Sequence, residues 1–377
     1  MTVVSSEPTP QDLTEHLRSI LRSTTDAVVS VAAIDPEALV DGAEAHGVLP
    51  LVAARLLPRR DLPGELTRHL EEGARRAIVD DLVQETELRR LLQAFAAAGL
   101  RPVLMKGAHL AYAYYERPDL RPRVDTDVLV ARGQEALAAR VLDRLGYAPR
   151  EQSHGDLVSY QSAYALTRNA ATLHVVDLHW RIANPQRFGQ VLSYEDASAA
   201  AVPVPALGPD ARGLSPVHAL LIACVHPVAH HANQHCLLWQ HDIHLVASRF
   251  GDEDWRAFAA AARTGGVAGV CRSSLARAFE DFGLTVPRDA WFALVDSSGS
   301  DAGTSAYLVG GRRHVQRVWW DLSSLPTWHE RSRLLRQHLF PSAQYMRQVY
   351  APSSGAPLPW LYARRVWHGA QKWLARS

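Results

Sequence analysis

LRPVLMKGAHLAYAYYERPDLRPRVDTDVLV, from Leu100 to Val130, is the stretch on which the fold turns. Val103, Leu104 and Met105 form an apolar run too short for a helix, closed by Lys106-Gly107, and read as a buried strand. A helix follows through Tyr115, then a loop rich in proline and arginine, then a second strand from Val124 to Val130. Asp125 and Asp127 lie on that second strand with one residue between them. Side chains alternate across a strand, so positions i and i+2 share a face, with Cα atoms about 6.6 Å apart. Two carboxylates so spaced reach one divalent cation. At i+1 they would point oppositely, and at i+4 they would stand about 13 Å apart.

Upstream, the chain reads as helices. Asp12 to Ser23 has helical spacing, Asp35-Pro36 announces a second helix to about Ala45, and Leu49 to Leu57 resumes after His46-Gly47. Pro63 to Ala98 is a long amphipathic stretch with Ile78, Leu82, Leu88, Leu92 and Phe95 on one stripe, stopped by Gly99. Downstream of the acids, Arg132 to Leu145 reads as a helix. Val158 to Thr167 and Thr172 to Trp180 read as antiparallel strands around the polar turn Arg168-Asn169-Ala170. On the second of these, Leu173, Val175, Asp177 and His179 share a face. The proline-rich stretch 203–216 reads as a linker, and Val217 to Phe250, Asp254 to Ala262 and Val267 to Phe282 as helices. The expected architecture is therefore α+β: a small mixed sheet over residues 99–205, an N-terminal helical region over 1–98 and a C-terminal helical domain over 206–377.

Composition narrows the function classes. The 377 residues carry 40 Lys plus Arg against 39 Asp plus Glu, so no global field draws nucleic acid or membrane, and an anionic substrate must be held by a local patch. Nucleic acid is not the favoured partner. Cys224, Cys236 and Cys271 form no CxxC pair, which points to a reducing compartment and away from structural zinc. No apolar run reaches the length of a membrane span and the N-terminus lacks a secretory pattern, so the expected location is the cytoplasm.

Lys106-Gly107, Arg121, and Asp125-Thr126-Asp127 followed by Val128-Leu129-Val130 together resemble the signature of the bacterial uncharacterised nucleotidyltransferase family, within the polymerase-beta-like superfamily. That superfamily has a glycine turn at a helix start, a carboxylate pair on the next strand and a third carboxylate on a later strand, to which Asp177 of Val176-Asp177-Leu178 corresponds. Many members have Gly-Ser where this chain has Lys106-Gly107. The resemblance extends over residues 40–350, with its specific motifs between 100 and 180. It implies an enzyme that moves a nucleoside monophosphate from a nucleoside triphosphate to an acceptor that the sequence does not name, whether small molecule, peptide or RNA. Nucleotidyl transfer builds charge on the entering and leaving oxygens, and divalent cations held by carboxylates neutralise it. Asp125, Asp127 and Asp177 are the expected catalytic ligands of Mg2+ or Mn2+. Lys106 and Gly107 are expected at the triphosphate. The resemblance sets Arg121 at a phosphate too and an aromatic or histidine at His179, whose other reading is a structural histidine; Arg123 reads equally as a solvated side chain.

Two rival functions stand beside this one. The chain reads alternatively as a catalytically degenerate nucleotide-binding module. The histidine-dense stretch Cys224 to His244 supports a third reading: His231 and His235 are spaced i, i+4, and His241-Asp242 matches the dipeptide of HD-type metal phosphohydrolases. Against it, no glutamate lies between His231 and His235, and the further ligands of an HD site are not evident. A nucleotide-side or acceptor-side role for His226, His230 or Asp242 is the remaining option. Leu361 to Arg376 reads as a docked basic helix.

Overall fold

The computed structural model describes residues 10–22, 34–150, 160–295, 301–308, 319, 321–323, 325, 327–341, 343–350 and 356–374. Helix α1 (Pro10–Arg22) is followed by α2 (Pro36–Ala45), whose N-cap Asp35 accepts a 3.0 Å bond from the Ala38 amide, as the Asp-Pro pair predicts. Helix α3 (Leu49–Leu56) and the 34-residue α4 (Gly64–Ala97) complete the N-terminal helices. Strand β1 (Val103–Leu104) leads into α5 (Lys106–Ala113), then β2 (Thr126–Leu129), α6 (Glu135–Arg144), β3 (Ala148–Pro149), β4 (Gln161–Arg168) and β5 (Ala171–His179). After α7 (Tyr194–Ala199) come β6 (Val202–Pro203) and β7 (Arg212–Gly213). Helices α8 (Pro216–His230), α9 (Leu237–Ala247), α10 (Asp252–Thr264), α11 (Ala268–Phe282) and α12 (Arg288–Ala293) follow. The expected α+β architecture is borne out: among the described residues one seven-stranded mixed sheet runs in the order β3-β4-β5-β2-β1-β7-β6, with helices packed on it.

Alternation of side chains gives the sheet two working faces. Leu104, Val128, Val176 and Leu178 join Leu88, Leu92 and Phe95 of α4 and Val141 and Leu142 of α6 in one apolar cluster. Val103 and Leu129 point the other way, into a larger cluster drawn from α1 to α4 and from α8 to α12. Asp127, two residues before Leu129, is therefore on the side of the helical layer rather than on the α6 side.

Several expectations change. The strand at Val124 to Val130 is shorter: β2 starts at Thr126, because Val124 is 85% exposed and Asp125 lies in the approach to the strand. The linker at 203–216 is instead a packed hairpin. Val202 and Pro203 pair antiparallel with Gly213 and Arg212, β7 pairs parallel with β1, and Val204, Leu207, Ala211 and Leu214 are buried. Proline is tolerated there because β6 is an edge strand. Ile78 and Leu82 are 41% and 56% exposed, so the buried stripe of α4 is interrupted in its middle. The 217–250 helix is broken between His230 and Leu237, where Ala232 and Asn233 take positive φ. Residues 1–9, 23, 158–159 and 375–377, named in the sequence readings, lie outside the described residues. The helix Leu358–Leu374 packs on Ala343–Tyr350 through Leu361 and Met346. No described helix is long and apolar enough to cross a membrane.

Candidate active site

The centre is made by strand register. Strands β2 and β5 are parallel neighbours, with Asp127 opposite Asp177 and Leu129 opposite His179. One ligating atom each from Asp127, Asp177 and His179 lies within 4.8 Å of the others, the only such group among the described residues. Two carboxylate oxygens and an imidazole nitrogen, largely withdrawn from water, are a donor set that a divalent cation fits, Mn2+ as readily as Mg2+ given the nitrogen. Nδ1 of His179 faces the Arg181 carbonyl oxygen at 3.3 Å, which leaves Nε2 as the ligating nitrogen.

Protein groups balance these charges. Lys106 Nζ donates to Asp127 Oδ1 at 2.6 Å, and His179 Nε2 donates to the same oxygen at 2.8 Å. Burial would push the Asp127 carboxyl up, but the Lys106 charge and the His179 bond outweigh it and hold it well below the usual carboxylate range. Lys106 takes φ of 47°, a left-handed conformation uncommon for a side-chain-bearing residue, at the first position of α5. Asp177 accepts a 2.8 Å bond from Gln161 Nε2 of β4; its carboxyl is raised by burial and by the Asp127 charge, with His179 opposing. Sequence reasoning missed Gln161, whose only signal is its place two residues from Ala163, the partner of Asp177 in the β4–β5 register.

Asp125 belongs to the same acidic patch without joining the close trio. Burial, then the charges of Asp127 and Asp177, push its carboxyl up to about 7. It lines a cavity of about 740 Å³ that also holds Lys106, Gly107, Asp127 and Asp177. A divalent cation competes with the proton at such a carboxyl. Affinity for Mn2+ is expected to rise as pH increases through about 7, with proton release, and Asp125→Asn should flatten that dependence. Titration calorimetry in buffers of different ionisation enthalpy measures both; a pH-independent affinity would contradict the assignment.

Arg121 and Arg123 both pair with acidic groups inside the fold. Arg121, expected at a phosphate, is buried in a two-pronged pair with Asp242 of α9, Nε to Oδ1 at 3.1 Å and Nη2 to Oδ2 at 2.7 Å. The Tyr115 hydroxyl donates to Asp242 Oδ1 at 2.7 Å, and His241 Nδ1 lies 3.2 Å from that hydroxyl. This packing explains Gly107: a Cβ there would stand 2.6 Å from Arg121 Nη1. Gly107 thus gives room to the guanidinium, a different reason from close approach of the backbone to a phosphate. Arg123 is not solvated. It donates to Asp81 at 2.6 Å and to the Tyr112 hydroxyl at 2.9 Å.

The histidine-rich stretch does not form the metal site of a phosphohydrolase. His231 turns to His226, with Nε2 to Nε2 at 3.1 Å, while His235 bonds Asp281 at 2.7 Å, so the i, i+4 pair is split by the positive-φ turn between them. Asp242 is committed to Arg121 and Tyr115. Yet His226, His230, His231 and Trp239 line the same cavity as the acids.

The model of the family described as uncharacterised nucleotidyltransferase matches residues 32–283 of the 377. The chain belongs to this family. The uncharacterised nucleotidyltransferase match runs from α2 through α11 and so contains every residue of the cavity named above; it begins slightly upstream of the extent expected from sequence and ends well short of 350. No curated protein matches the chain.

Proposed function

We propose that this nucleotidyltransferase-family chain transfers a nucleoside monophosphate from a nucleoside triphosphate to an acceptor hydroxyl or phosphate, releasing pyrophosphate. The observation that carries the reading is the convergence of Asp127, Asp177 and His179 on one another, with both carboxylates lining a cavity that also holds Lys106 at the start of α5. Asp127, Asp177 and His179, with Asp125 at the rim, would hold Mg2+ or Mn2+. A bound cation supplies neutralisation of the charge that develops on the entering and leaving oxygens.

The chain's own groups do the rest. Lys106, paired with Asp127 in the structure, has a flexible stem and a compact charge that would suit the β- or γ-phosphate. The first amides of α5 add donors beside it. The acceptor oxygen forms a bond to the α-phosphorus as the bond from that phosphorus to the bridging oxygen breaks, and the electron pair leaves with pyrophosphate. Asp125, whose carboxyl would lose its proton on meeting the cation, would help to hold it at the rim. A buried tie between Arg121 and Asp242 holds α9 against the loop that delivers Asp125.

The test is release of pyrophosphate from each nucleoside triphosphate with Mg2+ or Mn2+ and a panel of small-molecule, peptide and RNA acceptors. Lys106→Ala is expected to weaken triphosphate binding by about tenfold or more, the scale of a lost charge-assisted bond. A protein that binds nucleotide through these residues but never releases pyrophosphate would be a non-catalytic module, and the proposal would fall.

A further inference from the structure

The same cavity has a second end. Helix α8 is apolar almost all round, with Leu220, Leu221, Ile222, Cys224, Val225 and Val228 buried. Into this setting it sets His226 and His230, one turn apart, while His231 caps the helix and Trp239 comes from the first turn of α9. Nδ1 of His226 and Nε2 of His230 are both buried with no hydrogen-bond partner. A buried polar atom left unpaired is costly, so such atoms on side chains that line a cavity call for a ligand. Burial, with the nearby Lys106 charge, pushes His226 well below its ordinary range and His230 down to about 3, so both imidazoles are neutral near pH 7. Neutral rings are poor partners for phosphate and good ones for groups that both donate and accept. His226 Nε2 shares one proton with His231 Nε2, and whichever ring holds it, a hydroxyl satisfies His226 Nδ1 as donor or as acceptor. Beside them the His231 and Trp239 rings are 4.4 Å apart and tilted by 35°, an aromatic surface against which a flat ring can lie.

A second cavity, of about 600 Å³, meets the first at Val124, Asp125 and Asp177 but has no part of Lys106 or of the histidines.

We infer that His226, His230, His231 and Trp239 receive the nucleoside half of the nucleoside triphosphate, its ribose hydroxyls on His226 and His230 and its base against the His231 and Trp239 rings. The inference rests on the nucleotidyl-transfer reading above.

Calorimetry on the full chain with Mn2+ tests it, using the four nucleoside triphosphates, their 2′,3′-dideoxy forms and inorganic tripolyphosphate. The expected result is that His226→Phe and Trp239→Leu each weaken the preferred nucleotide at least tenfold and leave tripolyphosphate within twofold, with the dideoxy form binding the wild type as weakly as the full nucleotide binds His226→Phe. His230→Phe gives the same readout should His226→Phe not fold. Unchanged nucleotide affinity in the variants would overturn the inference while leaving the proposed function standing. Equal loss of nucleotide and tripolyphosphate would also overturn it, assigning the cluster to the phosphates. A wild-type protein that binds neither would remove the nucleotidyl-transfer reading itself.

Discussion

Asp127→Asn is expected to lower turnover by at least about a hundredfold, since even groups that merely support a metal ligand cost 10–100-fold when changed. Asp127 is the common partner of the site: its Oδ1 receives both Lys106 and His179, and its carboxylate is part of the only close donor trio among the described residues. Asparagine keeps the shape and one acceptor oxygen for Lys106 and His179 but loses the negative charge, so it would hold a cation weakly and leaves the Lys106 ammonium without its counter-charge. The sign of the linked stability change is fixed by the depressed carboxyl. Its contribution is complete above the unfolded carboxylate range and shrinks as pH falls from there toward the folded value, so the variant should be less stable than wild type at pH 7, with the gap narrowing in acid. Turnover with Mn2+ and thermal melts at both pH values check the two halves; undiminished turnover would remove Asp127 from catalysis.

Arg121→Ala is expected to destabilise the fold by about 3–5 kcal/mol, the usual result of leaving one member of a buried ion pair without its partner. Asp242 would keep only the Tyr115 hydroxyl, inside a wall shared by the loop before β2 and by α9. Changing both residues, Arg121→Met with Asp242→Leu, should recover much of that loss, because the uncompensated charge goes with its partner. Urea unfolding measures the cycle. Near wild-type stability in Arg121→Ala, with weakened nucleotide binding, would instead support the phosphate role that the sequence suggested.

The parts of the site that sequence made legible are those governed by local geometry. Alternation along one strand sets Asp177 and His179 on a common face, and both reach the cluster; the Asp-Pro cap and the Gly99 stop likewise depend on neighbours in the chain. What sequence left hidden depends on pairing between distant segments. Nothing local says that Asp127 stands beside Asp177 rather than two residues away, or that Arg121 meets Asp242 across 121 positions. The prolines of 203–216 misled because an edge hairpin and a linker share composition and differ only in whether Val204 and Leu207 find a core. Ile78 and Leu82 misled through a helical period that continues past the point where the core ends. Asp125 was read as a strand residue; its place just before β2 makes it a group at the junction of two cavities.

The most direct measurement is an anomalous-difference map at the manganese edge from crystals grown with Mn2+ and a nucleoside triphosphate carrying a non-hydrolysable α,β bridge. The account predicts a peak within bonding distance of Asp127 and Asp177, with the α-phosphate against it and Lys106 turned away from Asp127 toward the phosphates. A peak among His231, His235 and His241, or none in the cavity while the nucleotide binds elsewhere, would contradict it.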